Sequence, residues 1–388
     1  MNRALVLTLK VSVFVTLFVI IFYSIDWRDS YSILNTEGTV ISRVEGAILG
    51  EWRDNDVRFR SNDTKTTEII KRESANNEKQ IIISPGFLTY LKNLDLLLFS
   101  LGALCFVTSI IVLNMRWWWL LRANMFNIGV LEVQRLAWIG FFFNNVIPGS
   151  TGGDIVKAVY IAKKFSTDKV PALISVFVDR VVGLLSLILL ACLASLLALD
   201  DFPQIAITVW LLSFTVVLFC TFLISSNLRK LIRFDYVINR LPERMARIVQ
   251  EIDRSLLYYR QHLTGISLWI LVSPITYSLF IASFWLMDKS LGIGLGFLEY
   301  CFVVPIATAI QGIPIAPAGW GVGEAVYGTL IGKVGALMQP NIDGAEQMWR
   351  TRGVTLSVLH RTHVVAWSLI GGILFLIHRS KNQNRTRR

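Results

Sequence analysis

Charge is scarce in this sequence: Asp, Glu, Lys and Arg make up 17% of its 388 residues, and it has only four cysteines and four histidines. So little charge, with 54% hydrophobic residues and a mean hydropathy of +0.55, excludes both an ordinary soluble domain and a disordered chain. Cys105, Cys192, Cys220 and Cys301 all fall in apolar stretches, without the paired spacing of a disulfide framework or a zinc site. His360 and His363 stand three apart with no third ligand in sight, so neither a metal nor another cofactor is expected. No nucleophile beside a base marks a catalytic centre, and no nucleic-acid motif accompanies the net charge of +11.

What the chain has in quantity is long apolar sequence. Six stretches can cross about 30 Å of hydrocarbon: 4–25, 93–115, 170–199, 203–224, 264–287 and 351–377. Two more, near 136–162 and 292–335, are interrupted. The first stretch has a basic start but no small-x-small cleavage site after Ile25, so 1–25 reads as an uncleaved anchor. Residues 26–92 form a polar loop or small subdomain, in which "GTVISRVEGAILGEW" alternates enough to suggest a short strand pair; the alternative is disorder. The membrane domain covers 93–377, and a basic tail follows from 378 to 388. The expected architecture is an all-α polytopic membrane protein.

Lysine and arginine set the orientation. With the N-terminus inside, 22 of the 38 basic residues lie on the inner side, eight of them between 225 and 263. Of the outer ones, ten sit in the 26–92 loop, which carries eleven acids. The excess charge thus reads as a topology signal and as contact with anionic lipid, with both termini cytoplasmic in a multi-pass inner-membrane protein. Within 225–263, Met245, Ile248, Ile252, Leu256 and Tyr259 share one helical face, as in helices that lie on a leaflet. "RWWWLLR" at 116–122 reads as an interfacial anchor on the same side.

The interrupted segments share a pattern. "FFFNNVIPGSTGGDIVKAVY" runs from an apolar helix through Pro148, Gly149, Gly152 and Gly153 to Asp154; "QGIPIAPAGWGVGEAVYGTLIGK" runs through Pro317, Gly319, Gly321 and Gly323 to Glu324. Broken backbone at membrane depth is tolerated only where protein buries it or a wet cavity receives it. Three full crossings per half place the second copy upside down relative to the first, giving an inverted repeat with two re-entrant hairpins. Glycines there let backbone N–H groups approach an anion at the start of the next helix. The competing explanation is tight helix packing alone.

Each hairpin precedes a span with buried charge: Asp179-Arg180 after the first, His360-Arg361 after the second. Ionisable groups inside a membrane are costly and rare, which makes them functional candidates. A purely structural salt bridge, such as Glu324 with Arg361, is the alternative.

"NNVIPGSTGGDIVKA", "VDRVVGL", "IPIAPAGWGVGE" and the late "HRTH" together resemble the lysylphosphatidylglycerol synthase transmembrane-region family, over about 93 to 377. The resemblance implies a flippase-like membrane domain that moves lipids between leaflets or handles lipid-linked groups. It singles out Asn145, Pro148, Gly152, Gly153, Asp154, Asp179, Arg180, Pro317, Gly319, Gly321, Glu324 and Arg361. Lys157 stands where the family commonly has arginine; it keeps the charge without the planar fork that grips phosphate in two places. The 26–92 insertion is atypical of the family. With no soluble aminoacyl-transferase domain after the last span, the chain is not expected to synthesise lysyl-lipid.

The reading that follows is a lipid translocase for an anionic phospholipid or lipid-linked headgroup, a transporter rather than an enzyme. Arg180, Lys157 and Arg361 would attract phosphate; Asp154, Asp179 and Glu324 would balance or release it. Membrane lipids are the expected partners, with a second copy of the chain or a lipid-modifying enzyme as candidate protein partners. Two other classes stay open: a membrane enzyme that transfers a group to or from a phospholipid or polyprenyl-phosphate, with Asp154 or Glu324 as base, and a membrane partner protein in envelope assembly.

Overall fold

A computed structural model describes residues 27–34, 40–62, 64–71, 80–146, 152–165, 169–197, 199, 203–224, 242–311, 321–340, 342 and 345–386. The 4–25 anchor, Pro148, Gly149, Pro317, Gly319 and the start of the 225–263 loop lie outside these residues. The chain divides into two units, residues 1–104 with 281–364 and residues 105–280 with 365–388, which are described separately.

The first unit opens with a β-sheet, which departs from the all-α expectation. Strands β1 (Asp29–Leu34), β2 (Val40–Leu49), β3 (Asp56–Ser61), β4 (Thr67–Lys71) and β5 (Gln80–Ser84) form one antiparallel sheet in the order β4-β3-β2-β1-β5. The "GTVISRVEGAILGEW" segment supplies the single strand β2, paired with β1 on one side and β3 on the other, rather than a hairpin of its own. In β3, "DVRFRS" alternates exposed and buried residues, placing Val57 and Phe59 in a small core with Ile70 and Ile83. Tyr31 meets Phe59 edge to face at 5.0 Å. The buried Asp29 then ties the sheet to helix α1 (Phe87–Lys92): its carboxylate accepts from Gly86 N and Ile48 N, each at 2.7 Å, and from Thr89 Oγ1 at 3.0 Å.

Helix α2 (Leu96–Ala123) begins in this unit and continues into the second. Helices α3 (Val130–Val146), α4 (Gly152–Lys164), α5 (Lys169–Leu197), α6 (Pro203–Ile224) and α7 (Glu243–Tyr258) belong to the second unit. Helix α8 (Leu263–Leu291) follows a 3-10 turn and returns to the first unit, which also contains α9 (Phe297–Gln311) and α10 (Val322–Met338). Helix α11 (Ala345–Thr386) passes from the first unit to the second. Four described helical stretches are long and apolar enough to cross a membrane: Leu96–Ala123, Lys169–Leu196, Met245–Leu291 and Ala345–Ile377. The chain is a polytopic helical membrane protein.

Within the first unit, Gly328, Gly332 and Gly335 form a small-residue stripe on α10. A Cβ at Gly328 would lie 2.7 Å from a Val354 methyl, and one at Gly335 would fall inside the Trp349 ring, so glycine is what lets α11 approach this closely. Within the second unit, α3 and α4 cross at Gly140 and Gly153, where a Cβ on Gly153 would collide with the Gly140 carbonyl. Trp117, Leu121, Val133, Leu136 and Ile161 build the core beneath that crossing.

Part of the α7 apolar face is covered by protein rather than left for lipid. Ile252 and Leu256, with Tyr259 of the 3-10 turn that follows, pack on Ile174, Val178 and Val182 of α5 and on Leu120 of α2, while Met245 stays exposed. The helix is thus docked on the segment of α5 that contains Asp179 and Arg180.

Candidate functional site

Asp154 is the third residue of α4, and Glu324 is the third residue of α10. An acid in the first turn faces the partial positive charge of the helix start. Each acid pairs with an arginine of the next long helix. In the second unit, Arg180 Nε lies 2.5 Å from Asp154 Oδ2, and a guanidinium nitrogen contacts the same oxygen. In the first unit, Arg361 Nε lies 2.7 Å from Glu324 Oε1.

The two pairs differ in their surroundings. Arg180 is 44% exposed, and Asp154 also has Lys157 Nζ at 3.6 Å. The Lys157 stem runs through the notch left by Gly140, where a Cβ would sit 2.7 Å from its Cγ, and its ammonium lies 5.3 Å from the Trp117 ring centroid. One acid thus faces two cations. Glu324 and Arg361 are 4% and 10% exposed. The other Glu324 oxygen accepts from Gly321 N at 2.7 Å, at the N-cap, where Gly321 holds φ +82. That conformation is open to glycine and strained for other residues. A Cβ on Gly323 would lie 2.6 Å from Arg361 Nη2 and 3.2 Å from Gln311 Oε1, so the arginine and the end of α9 close in on a bare backbone.

Asp179 and Arg180 are consecutive residues of a helix and point about 100° apart. Asp179 turns to α2, where Arg116 Nε donates to it at 2.8 Å. Arg116 also donates to the Asp179 carbonyl at 3.2 Å and to Ser273 Oγ at 3.3 Å. Its side chain is only 4% exposed. This corrects the reading of "RWWWLLR" as an interfacial anchor: Arg116 and Trp117 are buried, bound to α5 through Asp179 and Ser175.

Of the residues expected at the site, the structure joins Asp154, Lys157 and Arg180 in one cluster and Gly321, Glu324 and Arg361 in another. Asp179 belongs to a third with Arg116. Gly152 and Gly153 are buried at the start of α4. Asn145 is turned back on its own helix, donating to the Phe141 carbonyl at 2.9 Å. Its neighbour Asn144 reaches the α4 terminus, accepting from Gly153 N at 2.7 Å. Gly319 lies outside the described residues. Sequence reasoning missed Asn144 and Arg116; the only signal for Arg116 was a charge within one helical repeat of the apolar run ending at 115. Among the described residues, no three His, Cys, Asp or Glu side chains gather as a metal site.

The family model for the lysylphosphatidylglycerol synthase TM region matches residues 86–337. The chain belongs to this family. The lysylphosphatidylglycerol synthase match runs from α1 to the last turn of α10, so it includes Asp154, Arg180 and Glu324 and ends before Arg361. A UPF0104 membrane protein of Pyrococcus horikoshii is 24% identical over 308 residues, which is 74% of this chain and 88% of that protein. No solved structure matches the chain.

Proposed function

We propose that this protein is a lipid translocase of the cytoplasmic membrane, which moves an anionic phospholipid or lipid-linked headgroup between leaflets while the tails remain in lipid. The observation that supports this most is the recurrence of one arrangement in both units: glycines, an acid in the first turn of a helix, and an arginine from the next long helix facing that acid. In this reading, the segments before α4 and α10 are re-entrant hairpins of opposite orientation, both termini are cytoplasmic, and each arginine receives a phosphate from its own leaflet. Asp154 and Glu324 occupy the arginines between turnovers and are displaced by the headgroup.

Membrane lipids retained through purification test the proposal. Mass analysis of lipid extracted from the pure protein is expected to show enrichment of an anionic phospholipid over the membrane average, reduced in Arg361→Gln and Arg180→Gln. Retained lipid of bulk composition in all three proteins would count against it.

A further inference from the structure

We infer that the Glu324–Arg361 site couples headgroup binding to uptake of one proton, so that transport through it responds to pH. The inference rests on the translocase reading and identifies a second substrate, the proton, for the same site. Glu324 is engaged at both oxygens: Oε1 forms an ion pair with Arg361 Nε at 2.7 Å, and Oε2 accepts from the Gly321 N–H at 2.7 Å. Its partners are a guanidinium and a helix-start amide, the donors that a phosphodiester anion uses. Nη2 of the same guanidinium packs against Gly323, where a Cβ would lie 2.6 Å from it. A phosphate that takes the Nε edge of this guanidinium takes the place of the carboxylate.

Displacement leaves Glu324 without its counter-charge. Its side chain is 4% exposed, and among the described residues Arg361 is the only cation paired with it; near Arg361 stand His360 of α11 and Tyr327 of α10, and the Thr308 and Gln311 side chains of α9 meet the Tyr327 hydroxyl. His360 is stacked on Phe284 of α8 with ring centroids 3.6 Å apart. A carboxylate left unpaired in such a place is strongly disfavoured. It takes one proton from the aqueous phase and becomes the neutral acid. When the headgroup leaves, Arg361 recaptures Glu324 and the proton is released. Asp154 behaves differently, because Lys157 remains 3.6 Å away when Arg180 is taken. Coupling is thus confined to the second pair.

Binding of short-chain phosphatidylglycerol to the protein in a neutral detergent tests this, measured as a function of pH. One linked proton means that affinity rises about tenfold for each pH unit lowered through neutrality. Glu324→Gln, already neutral, is expected to bind with no pH dependence, whereas a histidine effect would persist in that variant and would overturn the assignment to Glu324. If the glutamine variant does not fold, the wild-type slope decides by itself: a flat profile overturns the coupling. Undiminished binding by folded Arg361→Gln is a separate outcome that overturns the translocase reading of this site. Dimethyl phosphate, a phosphodiester without tails, forms the second arm. Binding of the lipid alone supports a lipid headgroup as the source, whereas equal affinity and slope for dimethyl phosphate would keep the coupling and reassign the substrate to a soluble phosphodiester.

Discussion

Arg361 lies 2.7 Å from Glu324 with both side chains buried, whereas Arg180, paired in the same way with Asp154, is 44% exposed. The two pairs occupy matching places in the sequence but not matching environments. Their variants should therefore behave differently. Arg361→Gln strands a buried carboxylate and is expected to lower thermal stability strongly, by about 3–5 kcal/mol, while Arg180→Gln leaves Asp154 with Lys157 and should cost much less. Thermal unfolding in detergent distinguishes them; equal losses would contradict the asymmetry.

Arg116 is bound to Asp179 by an ion pair and to its backbone by a second hydrogen bond. Arg116→Met is expected to destabilise by about 3–5 kcal/mol, and Asp179→Leu added to it should restore much of the loss, since a lone buried charge costs more than none. A double variant as unstable as the worse single one would show that the pair does more than balance charge.

Gly140 leaves the notch through which Lys157 runs toward Trp117 and Asp154. Gly140→Ala is expected to displace that stem and to reproduce the lipid-exchange defect of Lys157→Met. A Gly140→Ala protein with normal exchange would show that the lysine position is not needed.

Gly321 holds φ +82 at the start of α10 while its N–H binds Glu324. Gly321→Ala should cost roughly 1–3 kcal/mol in backbone strain, and Gly321→Val more, because a β-branched side chain resists positive φ. Unfolding midpoints of the two variants check the order.

Much of this was legible in the sequence where one interaction dominates. Apolar runs gave the helices, because nothing but hydrocarbon burial sets their length, and the two glycine segments pointed to Asp154 and Glu324 because an acid after glycines at a helix start has few other uses. The sheet was less visible: in β3, Arg58 and Arg60 alternate with Val57 and Phe59, so half the strand reads as solvated loop. Arg116 was hidden for the opposite reason. Beside three tryptophans it looks like an interfacial anchor, and only its partner Asp179, 63 residues on, makes it a buried residue. Asn144 and Asn145 are indistinguishable by type; the helical phase of α3 decides which one faces α4.

The measurement closest to the central claim is leaflet exchange of a fluorescent phosphatidylglycerol in vesicles reconstituted with wild-type, Arg180→Gln and Arg361→Gln protein, each checked for folding by its unfolding midpoint. Wild-type protein is expected to speed exchange well above that of protein-free vesicles, each glutamine variant to abolish most of that gain, and lysine at either position to restore part of it. Exchange at the wild-type rate by both folded glutamine variants would contradict the account.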